Sequence, residues 1–159
     1  MPHTGTDNYF EDFRVGQRAR HARGATVGEV ENNLVSKQVM NTAQAHWNEH
    51  HLKDSPLGDG RVVFGLVTAS VVVGLASQDC SDNAVAELGL DAMRFLAPVH
   101  HGDTIYAYTE VLATADAPDR PDAGIVTFKH WGADHTDRLV FEGQRRVLIK
   151  RRPTDEGDR

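Results

Sequence analysis

Asn41 and His46 stand five residues apart in Asn41-Thr42-Ala43-Gln44-Ala45-His46, and their types and spacing suit chemistry on a small polar molecule. A histidine titrates near neutral pH and moves a proton in either direction. An asparagine amide holds a water by hydrogen bonds but accepts no proton at neutral pH. Further on, Phe64-Gly65-Leu66-Val67-Thr68-Ala69-Ser70 reads as a glycine opening a buried helix. Free N–H groups at a helix start can hold the oxygen of an enolate. Together these residues suit the addition or removal of water beside a carbonyl.

The elements around them follow from spacing. Glu29 to Asn48 reads as one or two helices, with apolar positions at Val30, Leu34, Val35, Val39, Met40 and Ala43 and with Ser36 as N-cap of the second. Gly65 to Ser77 is the least polar stretch and predicts a helix buried on most sides. Gln17 to Val27, Val85 to Ala97, Thr104 to Ala113, Gly124 to Gly132 and Leu139 to Lys150 predict strands. In Thr104 to Ala113, one face is Ile105, Ala107, Thr109 and Val111. Turn chemistry marks Asp54 to Gly60, Pro98 to Asp103 and Asp116 to Asp122 as loops. Helix first and long antiparallel strands after is an α+β plan, met by one sheet wrapped around one hydrophobic helix. Such a sheet leaves open edges that dimerisation could cover. Residues 1–8 are expected to be a flexible N-terminus, 9–150 a single domain, and 151–159 a charged flexible tail.

Composition narrows the function classes. Apolar residues make up 40%, enough for an ordinary core, and the formal charge of −6 forces no basic surface for nucleic acid. No apolar run approaches the ~20 residues that span a bilayer. No signal peptide is visible at the start, and the single Cys80 allows no internal disulfide, so a cytoplasmic setting is expected. His50-His51 and His100-His101 are adjacent pairs that point different ways and lack ligand spacing, so no metal is expected.

Several pieces, in order, resemble the MaoC-like dehydratases of the hotdog fold, which include (R)-specific enoyl-CoA hydratases. They are Tyr9-Phe10-Glu11-Asp12-Phe13-Arg14-Val15-Gly16, Asn41-x4-His46, Gly60-Arg61-Val62-Val63-Phe64-Gly65 with Ala69-Ser70, and Asn83-Ala84-Val85-Ala86-x-Leu88-Gly89. Arg94-Phe95-Leu96-Ala97-Pro98-Val99-x-x-Gly102-Asp103-Thr104 and Arg120-Pro121-Asp122-Ala123-Gly124-Ile125-Val126 complete the set and resemble the branch acting on branched or dicarboxylic acyl-CoA such as mesaconyl-CoA. The resemblance implies a long central helix wrapped by an antiparallel sheet, and water added across the 2,3 double bond of an enoyl thioester, or removed. It implies His46 as acid/base, the Gly65 N–H as oxyanion donor, Ser70 as a residue ordering the site, and a CoA or carrier-protein thioester as partner. It implies no cofactor and a homodimer or higher homo-oligomer. Position 41 is an aspartate in the family. Here it is Asn41, left to orient water while His46 carries both proton transfers. The family's proline before the histidine is also absent, which implies a helix running on through His46.

Plainer roles stand beside these. By spacing alone, Asn41 and His46 are two polar residues on a helix face, Gly65 a packing glycine, and Ser70 a residue bonding back to a carbonyl. Arg61, Arg94, Lys129 and Arg145 are candidates for CoA phosphates, though ordinary surface charge also accounts for each. Glu49 and Asp54 are possible substitute acids. A hotdog thioesterase is the alternative enzyme, disfavoured because Gly65 to Ser77 carries no acid. A non-catalytic acyl-binding or partner subunit is the alternative without chemistry.

Overall fold

A computed structural model describes residues 8–53, 55–57 and 60–153. Residues 54, 58 and 59 of the loop expected over Asp54 to Gly60, and both chain ends, lie outside the described residues. In chain order the elements are a 3-10 turn (Phe10–Asp12), strand β1 (Arg18–Thr26), helix α1 (Glu29–Gln38), a 3-10 turn (Gln44–His46), helix α2 (Gly65–Cys80), and strands β2 (Ala84–Phe95), β3 (Thr104–Asp116), β4 (Ala123–Asp134) and β5 (Leu139–Lys150). The strands form one antiparallel sheet in the order β1-β3-β4-β5-β2. The sheet packs around α2, which is the α+β hotdog plan the resemblance implies.

The core lies between α2 and the inner sheet face. At one end Val67, Ala69 and Val72 meet Ile105, Ala107, Val140 and Phe141. At the other, Ala76 and Cys80 meet Val111, Val126, Phe128, Val147 and Ile149, with the Phe13 ring edge-on to Phe128 at 5.2 Å. Close approach depends on Gly132, where an added Cβ would lie 2.5 Å from the Val72 side chain. Burial alternates along the first part of β3 as its period-2 pattern predicts.

A buried polar group belongs to the same inner face. His21 Nδ1 meets Asp79 Oδ2 at 2.5 Å, and its Nε2 meets the Thr109 hydroxyl at 2.6 Å. His130 Nδ1 reaches that hydroxyl at 2.7 Å, and the Cys80 thiol points at it from 3.8 Å. One proton order satisfies these contacts. His21 donates to the Asp79 carboxylate, Thr109 donates to His21, and His130 donates to Thr109. Burial pushes the Cys80 thiol up from 9.0 to about 12 and keeps it protonated. The possible ligand atoms of His21, Cys80 and His130 lie within 4.8 Å of one another, but both His21 ring nitrogens and the His130 Nδ1 are engaged in this network and the Cys80 thiol keeps its proton. Asp79 therefore sits on the central helix, beyond the stretch in which the sequence showed no acid, and is paired inside the core.

The region between α1 and α2 departs from expectation. The helix does not run on through His46. It stops at Gln38 because Met40 turns left-handed (φ 52°), with Asn41 N–H bonding the Ser36 carbonyl at 2.9 Å and Met40 N–H bonding the Lys37 carbonyl at 3.1 Å. This is a Schellman stop built on a residue other than glycine. Ser36 is buried inside α1 rather than capping a second helix. At the other end of the fold, Arg151 pairs with Glu11 and Asp116, and Arg152 with Asp12, so the start of the C-terminal tail is tied to the first turn.

Burial, then the nearby Arg145 and His21 charges, lowers the His130 imidazole from 6.5 to about 3. Below pH 6.5 the unfolded chain binds a proton that the folded chain refuses, so this contribution is complete above that pH and lost as pH falls toward 3. Each proton corresponds to about 1.4 kcal/mol per pH unit. Urea unfolding from pH 7 to 4 is expected to give a slope shallower by that amount in His130→Asn. Equal slopes in the two proteins would remove His130 from the account.

Candidate active site

Asn41 follows the Met40 stop, and its Oδ1 accepts the Ala43 N–H at 3.0 Å. That Asx turn returns the chain toward the fold and opens the 3-10 turn of Gln44–His46. Val62 N–H then donates to the Ala45 carbonyl at 3.0 Å, and Val63 N–H to the Val99 carbonyl at 2.8 Å. The segment before α2 is thus clamped between the histidine turn and the loop leading to β3. Arg61 locks the outside, reaching Glu29 at 2.5 Å and Glu49 at 2.7 Å.

His46 Nδ1 lies 2.7 Å from the Val62 carbonyl. A carbonyl only accepts, so Nδ1 carries the proton and neutral His46 presents a bare Nε2 lone pair. The imidazole also packs against Phe64, with ring centroids 5.4 Å apart. His46 and Gly65 line one cavity of about 490 Å³, whose walls include Val62, Phe64, Phe95 and Leu96.

Helix α2 starts without a side-chain cap. Phe64 O accepts from Val67 N–H at 2.8 Å and Thr68 N–H at 3.3 Å, so it points into the helix. The Gly65 N–H lies opposite it in the same trans peptide and points out of the helix start. A Cβ at Gly65 would stand 2.9 Å from the Phe95 ring, so only glycine fits beneath it without displacement.

The structure brings His46 and Gly65 to one cavity. Asn41 does not line it, and its Oδ1 is spent on the turn. Ser70 lies on the other side of Leu66, where its hydroxyl donates to the Leu66 carbonyl at 2.7 Å and lines a second groove with Leu88, Leu90, Met93 and Arg145. Each cation considered for phosphate has a carboxylate partner: Arg61 with Glu29 and Glu49, Arg94 and Lys129 with Glu142, and Arg145 with Glu87. Glu49 serves Arg61 and is absent from the cavity wall. No carboxylate among the described residues lines the cavity. Asn32 is the residue that sequence reasoning missed: it is fully buried on α1 and bonds the Phe64 N–H. The helical pattern gave no signal for it: Val30, Leu34, Val39 and Met40, which that pattern marks as the apolar face, are exposed, and the helix buries Asn32 and Ser36 instead.

Residues 4–151 match the family described as mesaconyl-CoA hydratase. The chain is similar to the mesaconyl-CoA hydratase of Haloarcula marismortui, with 36% identity over 155 residues, 90% of this chain and 42% of that protein. It is also similar to the beta-methylmalyl-CoA dehydratase of Chloroflexus aurantiacus, with 32% identity over 124 residues, 78% of this chain and 35% of that protein. A Mycobacterium tuberculosis protein described as a double hotdog fold superposes with TM-score 0.82 and 25% identity over 94% of this chain and 46% of its own. The chain therefore spans less than half the length of these curated relatives.

Nitrogen-15 NMR of the histidine ring is expected to show neutral His46 as the Nδ1–H tautomer, because the Val62 carbonyl admits no other. An Nε2–H tautomer would mean that the base faces away from the cavity.

Proposed function

The chain belongs to the mesaconyl-CoA hydratase family of MaoC-like hotdog proteins, and on that premise we propose that it adds water across the 2,3 double bond of an enoyl-CoA thioester, or removes it. The observation that carries this reading is a bare imidazole nitrogen and an outward helix N–H facing one cavity without a carboxylate from the described residues. In the hydration direction, His46 Nε2 takes a proton from water as the oxygen bonds to C3. The π electrons move to the thioester oxygen, which the Gly65 N–H and the positive end of α2 stabilise. The imidazolium then returns a proton to C2 as the enolate collapses. One base on one face serves both transfers, so the amide at position 41 is no obstacle. Asn41 acts on the histidine only through the turn that its Oδ1 closes, while Ser70 steadies the first turn of α2 through the Leu66 carbonyl.

The substrate class on this reading is a branched, dicarboxylic acyl-CoA of the mesaconyl type. The missing carboxylate favours hydration over thioester hydrolysis, since Asp79 is held by His21 in the core. We place the activity in the cytoplasm, a setting that suits a chain whose single cysteine allows no internal disulfide. Among the described residues no helix is long and apolar enough to cross a membrane.

We further propose that a second copy covers β2. This strand ends the sheet order, so its outer N–H and C=O groups form an open edge. Leu88, Leu90, Met93, Phe95 and Leu96 are exposed along and just after it. The relative described as a double hotdog fold, of which this chain covers 46%, supports pairing of this unit with a second one. Sedimentation is expected to give twice the chain mass, and Leu88→Asp with Leu90→Asp to give the single chain. A wild-type monomer would refute this pairing.

Crotonyl-, mesaconyl- and longer-chain enoyl-CoA are the substrates to compare, by loss of enoyl-thioester absorbance. Mesaconyl-CoA is expected to react fastest. His46→Ala should lower kcat by about 10²–10⁴, and Gly65→Ala by about 10²–10³ through the displaced oxyanion donor. Wild-type rates in His46→Ala would assign the proton transfers elsewhere.

A further inference from the structure

Asn32 is fully buried on α1, with none of its polar atoms left unpaired. Its Oδ1 accepts the Phe64 N–H at 2.8 Å. Its Nδ2 donates to His101 Nε2 at 3.0 Å and makes a long contact to the His46 carbonyl at 3.5 Å. These partners fix the amide orientation. Turned over, it would set N–H against the Phe64 N–H and a carbonyl against the His46 carbonyl. One buried side chain thus ties three separate segments: the histidine turn, the entry to α2, and the loop before β3.

Phe64 is held from both sides. Asn32 fixes its N–H, and Val67 and Thr68 fix its carbonyl. The Phe64–Gly65 peptide lies between these anchors, so its plane, and with it the direction of the Gly65 N–H, has little freedom. Burial, and then the Arg61 guanidinium, hold His101 below its ordinary value, which keeps Nε2 available as the acceptor Asn32 requires.

We propose that Asn32 is a positioning residue for hydration: it sets the Gly65 N–H and the His46 turn at the separation the reaction needs, without touching substrate. This inference rests on the hydratase reading above. A donor aimed where charge develops is worth most when it cannot reorient. A misplacement of about 1 Å can cost about 10²-fold in rate.

Asn32→Asp keeps the shape and the acceptor for Phe64 but removes both donors. It is expected to lower kcat about 10- to 100-fold with KM within about twofold, because ground-state binding of the thioester does not use the lost geometry. Nitrogen-15 NMR should show His101 in this variant protonated at Nε2 against the new carboxylate. His101→Ala removes one tether at a partly exposed position, so it is expected to fold even if Asn32→Asp does not. It should lower kcat several-fold with KM unchanged and speed hydrogen exchange at the Phe64 amide. Folded variants with wild-type kcat, or a loss confined to KM, would overturn the positioning role. Wild-type protein inactive on every enoyl-CoA would instead refute the hydratase reading, whereas an active wild type, an inactive His46→Ala and a fully active Asn32→Asp would refute only this inference.

Discussion

The seating of one nearly uncharged helix inside a curled sheet is the constraint on which the other features depend. Val72 and Ala76 are fully buried, and β4 approaches so closely that position 132 has room only for hydrogen. A helix enclosed in this way has its axis and its start fixed by packing rather than by local preference. Its first turn opens at the rim of the sheet, where Phe64 supplies no side-chain cap. The N–H that a serine or aspartate cap would leave to water elsewhere becomes a directed donor in a cavity.

The histidine reaches that cavity by backbone geometry. Met40 turns the chain out of α1, Asn41 closes the next turn, and Val62 returns along the histidine turn to hold both the Ala45 backbone and the His46 ring. A left-handed methionine costs on the order of 1 kcal/mol. The cost is consistent with a stop that has to fall at one residue, since a further turn of α1 would swing His46 away. Asn32, Arg61 and Glu49 then bind the returning segment to α1 from the inside and the outside.

Polar groups inside this protein divide into two sets with different physics. The His21, Asp79, Thr109 and His130 set closes on itself near the far end of α2, with the His130 Nε2 left over, and it suits a fixed core. The set around His46 is open: among the described residues, His46 Nε2 and the Gly65 N–H have no hydrogen-bond partner, and both residues line one cavity. Asp79 shows why residue type alone misleads. An acid on the central helix is a candidate nucleophile or base until its partner is known, and a buried histidine at 2.5 Å removes it from the reacting cavity.

The chain's pattern of residues determined the long apolar helix over Gly65 onward and the period-2 faces of strands such as β3, because burial period is a local signal, whereas the joint role expected of His46 and Gly65 came from the family resemblance and not from spacing. The end of β3, three residues beyond its predicted limit, was less legible, as strand ends are set by partners. Only the tertiary structure decided where α1 stops, since a left-handed Met40 has no signature in residue type. It alone decided that Asn41 builds a turn, that Ser70 faces a second groove, and that Asn32 bridges three segments. Those outcomes depend on which carbonyls and N–H groups meet across dozens of residues, and hydrogen-bond partners at such separations are fixed by packing rather than by sequence period.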